Sequence, residues 1–345
     1  MLSSLHRRPR SRALARILNS ATRGMVASPP SLSAELNLLR RELPPALPAE
    51  GEATRRLYEL LDAGDIAAME ARLEPAVRQV WEGATGEDRM AAALSFSLFY
   101  GVPGVAEKTG LIAAMPPDEV HSMGRGPLAA GGSFYYADLV LEALRRTGGD
   151  PPRRALDFGC SSGRVVRVLK AVLPEVEWHG CDPNAGAIEW ARANLPGIGF
   201  DVSPTEPPLP YGDESFDLVY AISIWSHYGE RSALRWLGEM RRVLRPGGLL
   251  VFTVHGQQSI AHFARSSTMK VDDLPETAAD LYSRGFHYRD WFAGGSDHGV
   301  KQDDWGMAFL TPEWLLTNVT PEWSLQWFAP GRAEENQDAV VLLRR

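Results

Sequence analysis

The sequence predicts an α/β protein with a mostly parallel sheet, and three observations carry that expectation. Between residues 154 and 254, short apolar runs alternate with segments of helical spacing, a pattern that calls for parallel strands joined by helical crossovers. The first of these runs breaks into "DFGCSSGR", two glycines, two serines and an acid at a strand end, where open parallel sheets bind ligands. The last two apolar runs, "WSLQWFA" and "DAVVLLRR", are joined by the turn-rich "PGRAEENQ", so the sheet is expected to finish in an antiparallel hairpin.

The 345 residues suffice for a sizeable core, and 44% hydrophobic with 23% charged residues is ordinary globular composition. Residues 1–34 hold six arginines and no acid, within a chain of net charge −7. This Arg- and Ser-rich leader has the composition of a transit peptide, of a basic arm, or of sequence upstream of a second start at Met25. It is expected to be disordered and dispensable. The acidic remainder argues against a large nucleic-acid footprint, which needs clustered Lys and Arg. No apolar run reaches the roughly 18 residues of a membrane span; "MAAALSFSLFYGV" reads as a buried helix instead. Cys160 and Cys181 are the only cysteines, too few for a disulfide framework or a zinc site, so a reducing, cytoplasmic setting is expected.

The elements follow in order. After the Pro-rich linker "LPPALPAEGE", the segments "ATRRLYELLDAG", "DIAAMEARLEPAVRQVWEG" and "EDRMAAALSFSLFY" have three- and four-residue apolar spacing and read as helices. Residues 101–132 are punctuated by glycine and proline. "SFYYADLVLEALRRTGG" is a helix capped by Ser133 and stopped at Gly148. Strands "RALDF", "VEWHGCD", "IGFDV", "FDLVYAISI" and "GLLVFTV" then alternate with helices "GRVVRVLKAVL", "AGAIEWARANL" and "RSALRWLGEMRRVL", the last stopped by Gly-Gly. Beyond His255 the pattern is irregular, with helical pieces at "SIAHFARSS", "DLPETAADLYSRG" and "TPEWLLTNV". The expected organisation is a basic leader (1–34), a helical accessory or lid region (35–132) and a main domain (133–345).

Asp182 ends the second strand, 25 positions after Asp157. A carboxylate there either caps the next helix or accepts hydrogen bonds from both hydroxyls of a ribose. With "LDFGCSSGR", "CDPN", "LPYGDESFDLV" and "RVLRPGG" in this order, residues 150–256 resemble the class I S-adenosylmethionine-dependent methyltransferases. The resemblance implies a Rossmann-like seven-stranded sheet and S-adenosylmethionine as cofactor. It also implies a cofactor site of Asp157, Gly159, Cys160, Ser161 and Gly163 under the methionine part, and Asp182 on the ribose. Pro183 would pack on adenine, and Ile222 and Ser223 would face the methionine part. Two departures stand out: Ser161 replaces the usual central glycine, and in "SPTEPPLP" only Thr205 or Glu206 is available for the adenine amino group. An NAD-dependent dehydrogenase is the nearest enzyme alternative, but its G-x-G-x-x-G turn is absent. A catalytically silent binding module of the same fold is the third reading.

Methyl transfer is mainly a matter of holding donor and acceptor in line, with a general base helping a hydroxyl acceptor. His227 in "SIWSHYGE" is the first candidate base, His255 the second and His287 a distant third. Tyr136 (or its neighbour Tyr135), Trp225 and Trp305 are the candidate substrate contacts. Asp303 and Asp304 have no third ligand spaced to join them, so no metal is expected. The expected acceptor is a small molecule with an O- or N-nucleophile, a natural product or sugar unit, ahead of a protein or RNA.

Overall fold

The computed structural model describes residues 51–148, 151–266, 273–291, 295–297 and 300–345. The expected leader, the start of the accessory region and most of the Pro-rich linker lie outside the described residues.

Five helices come first: α1 Glu52–Tyr58, α2 Ala63–Glu70, α3 Pro75–Gly83, α4 Gly86–Phe99 and α5 Val105–Thr109. The single helix expected over "DIAAMEARLEPAVRQVWEG" is two. Pro75 has no N–H to donate, so it opens α3 in the first turn with extended Glu74 before it. The apolar middle of α4 is buried as expected. Helix α6, Phe134–Thr147, starts after Ser133 and stops at left-handed Gly148, although the Ser133 side chain makes no capping bond. Its buried Asp138 instead caps a different helix, accepting from the Ala53 amide at 2.5 Å and the Thr54 hydroxyl at 2.5 Å. That contact fixes α1 onto α6.

The main sheet is built from β1 Arg154–Phe158, β2 Glu177–Asp182, β3 Gly199–Val202, β4 Phe216–Ala221, β5 Leu244–Val254, β8 Trp323–Ala333 and β9 Gln337–Arg344. Their spatial order is β3-β2-β1-β4-β5-β9-β8. The first four contacts are parallel, and β9 runs antiparallel to both β5 and β8. Helices α7 Val166–Val172, α8 Ala185–Asn194 and α9 Glu230–Val243 make the crossovers. Strand β5 begins earlier than the Gly-Gly stop implies, at Leu244, with a bulge against β4 that absorbs the glycines. The hairpin strand β8 likewise extends through the expected turn residues to Ala333.

Period-two alternation sorts the strands onto two cores. Ala155, Leu218, Tyr220 and Val251 face the side covered by the N-terminal helices, α6 and α7. Leu156, Val219, Phe252 and Val340 face the side covered by α9 and by α12, Pro312–Val319. A third, smaller cluster joins α10 Gln257–Ser266 and α11 Leu274–Arg284 to Phe309. The tail contains one sheet not expected from the sequence, a two-stranded ribbon of β6 Phe286–Arg289 and β7 Met307–Leu310. No helix among the described residues is long and apolar enough to cross a membrane.

Candidate active site

A cavity of about 430 Å³ opens at the carboxyl ends of β1, β2 and β4. Its floor is the turn after β1, which contributes Asp157, Gly159, Cys160 and Ser161. Gly159 has φ +81°, and a Cβ there would collide with the Ile224 side chain. Only glycine fits that close approach. Ser161, at the position of the usual central glycine, adopts φ +49° as a serine, with its hydroxyl 3.3 Å from the His121 carbonyl. Gly163 does not line the cavity: its missing side chain makes room for Leu195 and Phe200 beneath the turn. Burial pushes the Cys160 and Cys181 thiols well above their ordinary range, so neither is a ready nucleophile.

From β2 come Asp182 and Pro183. One Asp182 carboxylate oxygen accepts from the Ser161 amide and the other from the Asn184 amide, both at 2.8 Å. The cap of α8 is Asn184, whose side chain accepts from the Ala187 amide. Asp182 is therefore not the helix cap, and its carboxylate is held at the cavity edge by two backbone donors. After β3 the lining residues are Ser203 and Pro204, while Thr205, the expected adenine contact, is not among the lining residues.

Asp157 is buried, and its Oδ2 has no hydrogen-bond partner among the described residues. Burial first, and the charge of Asp182 next, raise its pKa to about 7. The end of β4 adds Ile222 and Ser223. Ser223 has φ +60°, its amide donates to the Thr253 hydroxyl at 2.8 Å, and its own hydroxyl meets Gln337.

The opposite wall is made by the loop after β4 and by the tail. His227 lines the cavity, and its Nδ1 lies 2.7 Å from the Gly306 carbonyl, which accepts. Its ring stacks on Trp305, with centroids 4.8 Å apart and planes 24° apart. The loop is clasped by backbone bonds from Gly306 to His227 and from Ala308 to Ser226, each 2.8 Å. His227 does not cap α9; Gly229 occupies that position, and the Asp304 carboxylate accepts from the Ser232 amide. Asp304 is thus a capping residue. No cluster of potential metal ligands occurs among the described residues.

Several expected contacts are not at the cavity. Trp225 is fully buried among Phe158, Tyr228 and Phe252, with its indole nitrogen donating to the Ala233 carbonyl. It is a core residue. Tyr136 is buried beneath the Arg164 guanidinium, 5.3 Å from its ring, and does not line the cavity. Neighbouring Tyr135 packs its hydroxyl against the β8–β9 turn, where the Glu334 amide donates to it. His255 is buried between Phe263 and Phe309, and burial lowers its pKa to about 3, so it stays neutral behind the wall. His287 is paired with Asp280 at 2.8 Å on β6.

The cavity also has walls the sequence did not single out. His121 and Met123 reach it from residues 101–132, and Asp297 and Gln302 from the tail. The 112–129 segment is anchored by the buried Arg167, which donates to the carbonyls of Ala114 (2.6 Å), Ile112 (3.4 Å) and Ala129 (3.3 Å). The Asp297 carboxylate accepts from the Trp305 indole at 2.9 Å.

Residues 156–252, which supply β1 to β5 and the cavity floor, match the protein family described as "Methyltransferase domain". Malonyl-[acyl-carrier protein] O-methyltransferase of Methylococcus capsulatus is 36% identical over 127 residues, 36% of this chain and 45% of the relative. Probable tRNA methyltransferase 9B of Bos taurus is 29% identical over 143 residues, 39% of this chain and 30% of the relative. The chain thus spans less than half the length of either. An S-adenosylmethionine dependent methyltransferase structure from Mesorhizobium loti matches with 18% identity and a TM-score of 0.40, over 59% of this chain and 96% of that one.

Proposed function

We propose that this chain, which carries a class I S-adenosylmethionine-dependent methyltransferase domain, transfers the cofactor's methyl group to an O- or N-nucleophile of a small molecule. The observation that carries the reading is that one cavity joins the β1 turn and Asp182 to His227 and Trp305 on the facing wall. Its size lies within the range of small-molecule pockets. The acid-rich lining, with Asp157, Asp182 and Asp297 against the single arginine Arg164, disfavours a polyanionic acceptor such as RNA.

The residues present fit the cofactor. The unpartnered Asp157 Oδ2 suits an ammonium group, Asp182 suits the two hydroxyls of a ribose, and Pro183 with Pro204 offers apolar packing to an adenine. S-adenosylmethionine supplies an activated methyl group on a sulfonium. On the acceptor side, the chain must position the nucleophile and exclude water. Trp305 offers a flat face to a ring-bearing acceptor. With Nδ1 engaged by the Gly306 carbonyl, His227 presents Nε2 as the basic nitrogen, able to take the acceptor's proton. Both cysteines are free and buried, which fits a reducing, cytoplasmic setting.

The test begins with calorimetry. S-adenosylmethionine and its demethylated product should bind, and NAD should not. A metabolite screen with methyl-labelled cofactor should then yield a labelled small molecule. Tight NAD binding without S-adenosylmethionine binding would overturn the reading. Label appearing only in tRNA or protein would move the acceptor to that class.

A further inference from the structure

Beside the cavity lies a second pocket of about 250 Å³, and Arg164 lines both. Its lining carries Arg125, Arg164 and Arg167, with no carboxylate among the described residues. Arg125 is already engaged, donating to the Pro116 and Val120 carbonyls and pairing with Asp118. Arg167 is 3% exposed and, among the described residues, is in no ion pair and is reached at its Nη atoms by three neutral carbonyls. Its Nε has no hydrogen-bond partner among the described residues. That nitrogen faces Gly132, another lining residue, where a Cβ would come within 3.0 Å of it.

The Arg164 guanidinium forms no direct ion pair among the described residues; it lies over the Tyr136 ring, and its charge also acts on the buried Asp157. Burial first, and the charge of Arg164 next, lower the pKa of Arg167 to about 10, which leaves it protonated at neutral pH. Two like charges, one of them buried, thus share a pocket whose own lining holds no carboxylate among the described residues, and a buried charge is stable only when something compensates it. Guanidinium groups match the planar, multidentate acceptors of carboxylate and phosphate.

We propose that this second pocket binds one anionic group, a carboxylate or a phosphate, received by Arg164 and faced by the unpartnered Nε of Arg167. The group belongs either to a separate ligand or acceptor, or to the amino-acid end of the cofactor next door. The second of these sources rests on the methyl-transfer reading; the anion site itself does not.

The experiment titrates inorganic phosphate into the full chain at constant ionic strength, with and without saturating S-adenosylhomocysteine. It is run on wild type, Arg164→Gln and the charge-keeping Arg164→Lys. Saturable phosphate binding, weakened at least tenfold in Arg164→Gln and kept within threefold in Arg164→Lys, is the expected result. Phosphate that still binds with the nucleoside present assigns the pocket to a separate anion. Phosphate displaced by the nucleoside assigns it to the cofactor carboxylate; Arg164→Gln should then weaken S-adenosylhomocysteine tenfold and its decarboxylated analogue less than twofold. Phosphate and nucleoside affinities both within twofold of wild type in a folded Arg164→Gln overturn the proposal. Arg164-dependent phosphate binding without any nucleoside binding overturns the methyl-transfer reading and leaves the anion site standing.

Discussion

The Asp182 carboxylate and the Ser161 amide are joined across 2.8 Å, so the end of β2 is tied to the glycine-rich turn after β1. One carboxylate therefore shapes that turn, and in the proposed function it also receives the ribose. Asp182→Ala loses both roles. With charge-assisted bonds contributing roughly 1.5–3 kcal/mol each, cofactor affinity should fall at least about tenfold, and Asp182→Asn should lie between. Calorimetric titration with S-adenosylhomocysteine measures it. Wild-type affinity in Asp182→Ala would remove the ribose assignment.

His227 should fail differently. His227→Ala leaves the cavity floor untouched, so cofactor affinity should stay within a few-fold. Turnover on the acceptor found by the screen should drop on the order of 10²-fold, the scale of general base catalysis. A lower melting temperature with unchanged turnover per folded molecule would make the ring a wedge between Trp305 and the Gly306 carbonyl and nothing more.

Asp157 predicts a pH signature in the ligand-free protein. Its folded pKa, raised to about 7, lies above the roughly 3.9 of an unfolded aspartate. Between those values the native state holds the proton more tightly, so its contribution is full below about pH 4 and is lost as pH rises toward 7. Asp157→Asn removes that loss. The variant's melting temperature, relative to wild type, should climb from pH 4 to pH 7, while its affinity for cofactor falls. Asp338, raised to about 7 by burial, slopes the same way, and His255 slopes the opposite way; both remain in the variant and cancel in the difference. A difference independent of pH would show that Asp157 titrates normally.

Trp225→Ala should be a stability mutation. Removing a fully buried indole from the cluster of Phe158, Tyr228 and Phe252 should cost roughly 3–5 kcal/mol. Denaturant unfolding measures the loss, and S-adenosylhomocysteine should still bind the folded fraction with wild-type affinity. Unchanged stability would return Trp225 to the list of substrate contacts.

The middle of the chain was legible because each strand end carries local punctuation. Asp157 with Gly159, and Asp182 with Pro183, announce their turns within a few residues, and the sheet between 154 and 254 follows from periodicity. What could not be read depends on distant pairing. Trp225 and His227 sit two positions apart, yet only the backbone bonds from Ala308 and Gly306 decide that one faces the core and the other the cavity. The ribbon strands β6 and β7 are short and separated by 17 residues, too little local signal to announce a pairing. His121 and Met123 lie in a stretch marked only by breakers, and the contact that brings it over the cavity is made by Arg167, some 40 residues further on.

The sheet order has a consequence for how the chain reaches its native state. Strand β9 follows β8 in sequence but lies inside it, directly against β5. While the polypeptide is emerging from the ribosome, the apolar edge Leu249–Val254 has no neighbour until both tail strands have been made and have folded back as a hairpin. A bare apolar edge is a template for intermolecular pairing, so the nascent protein is most prone to aggregate in that late interval. Chaperone demand during biosynthesis should be concentrated there.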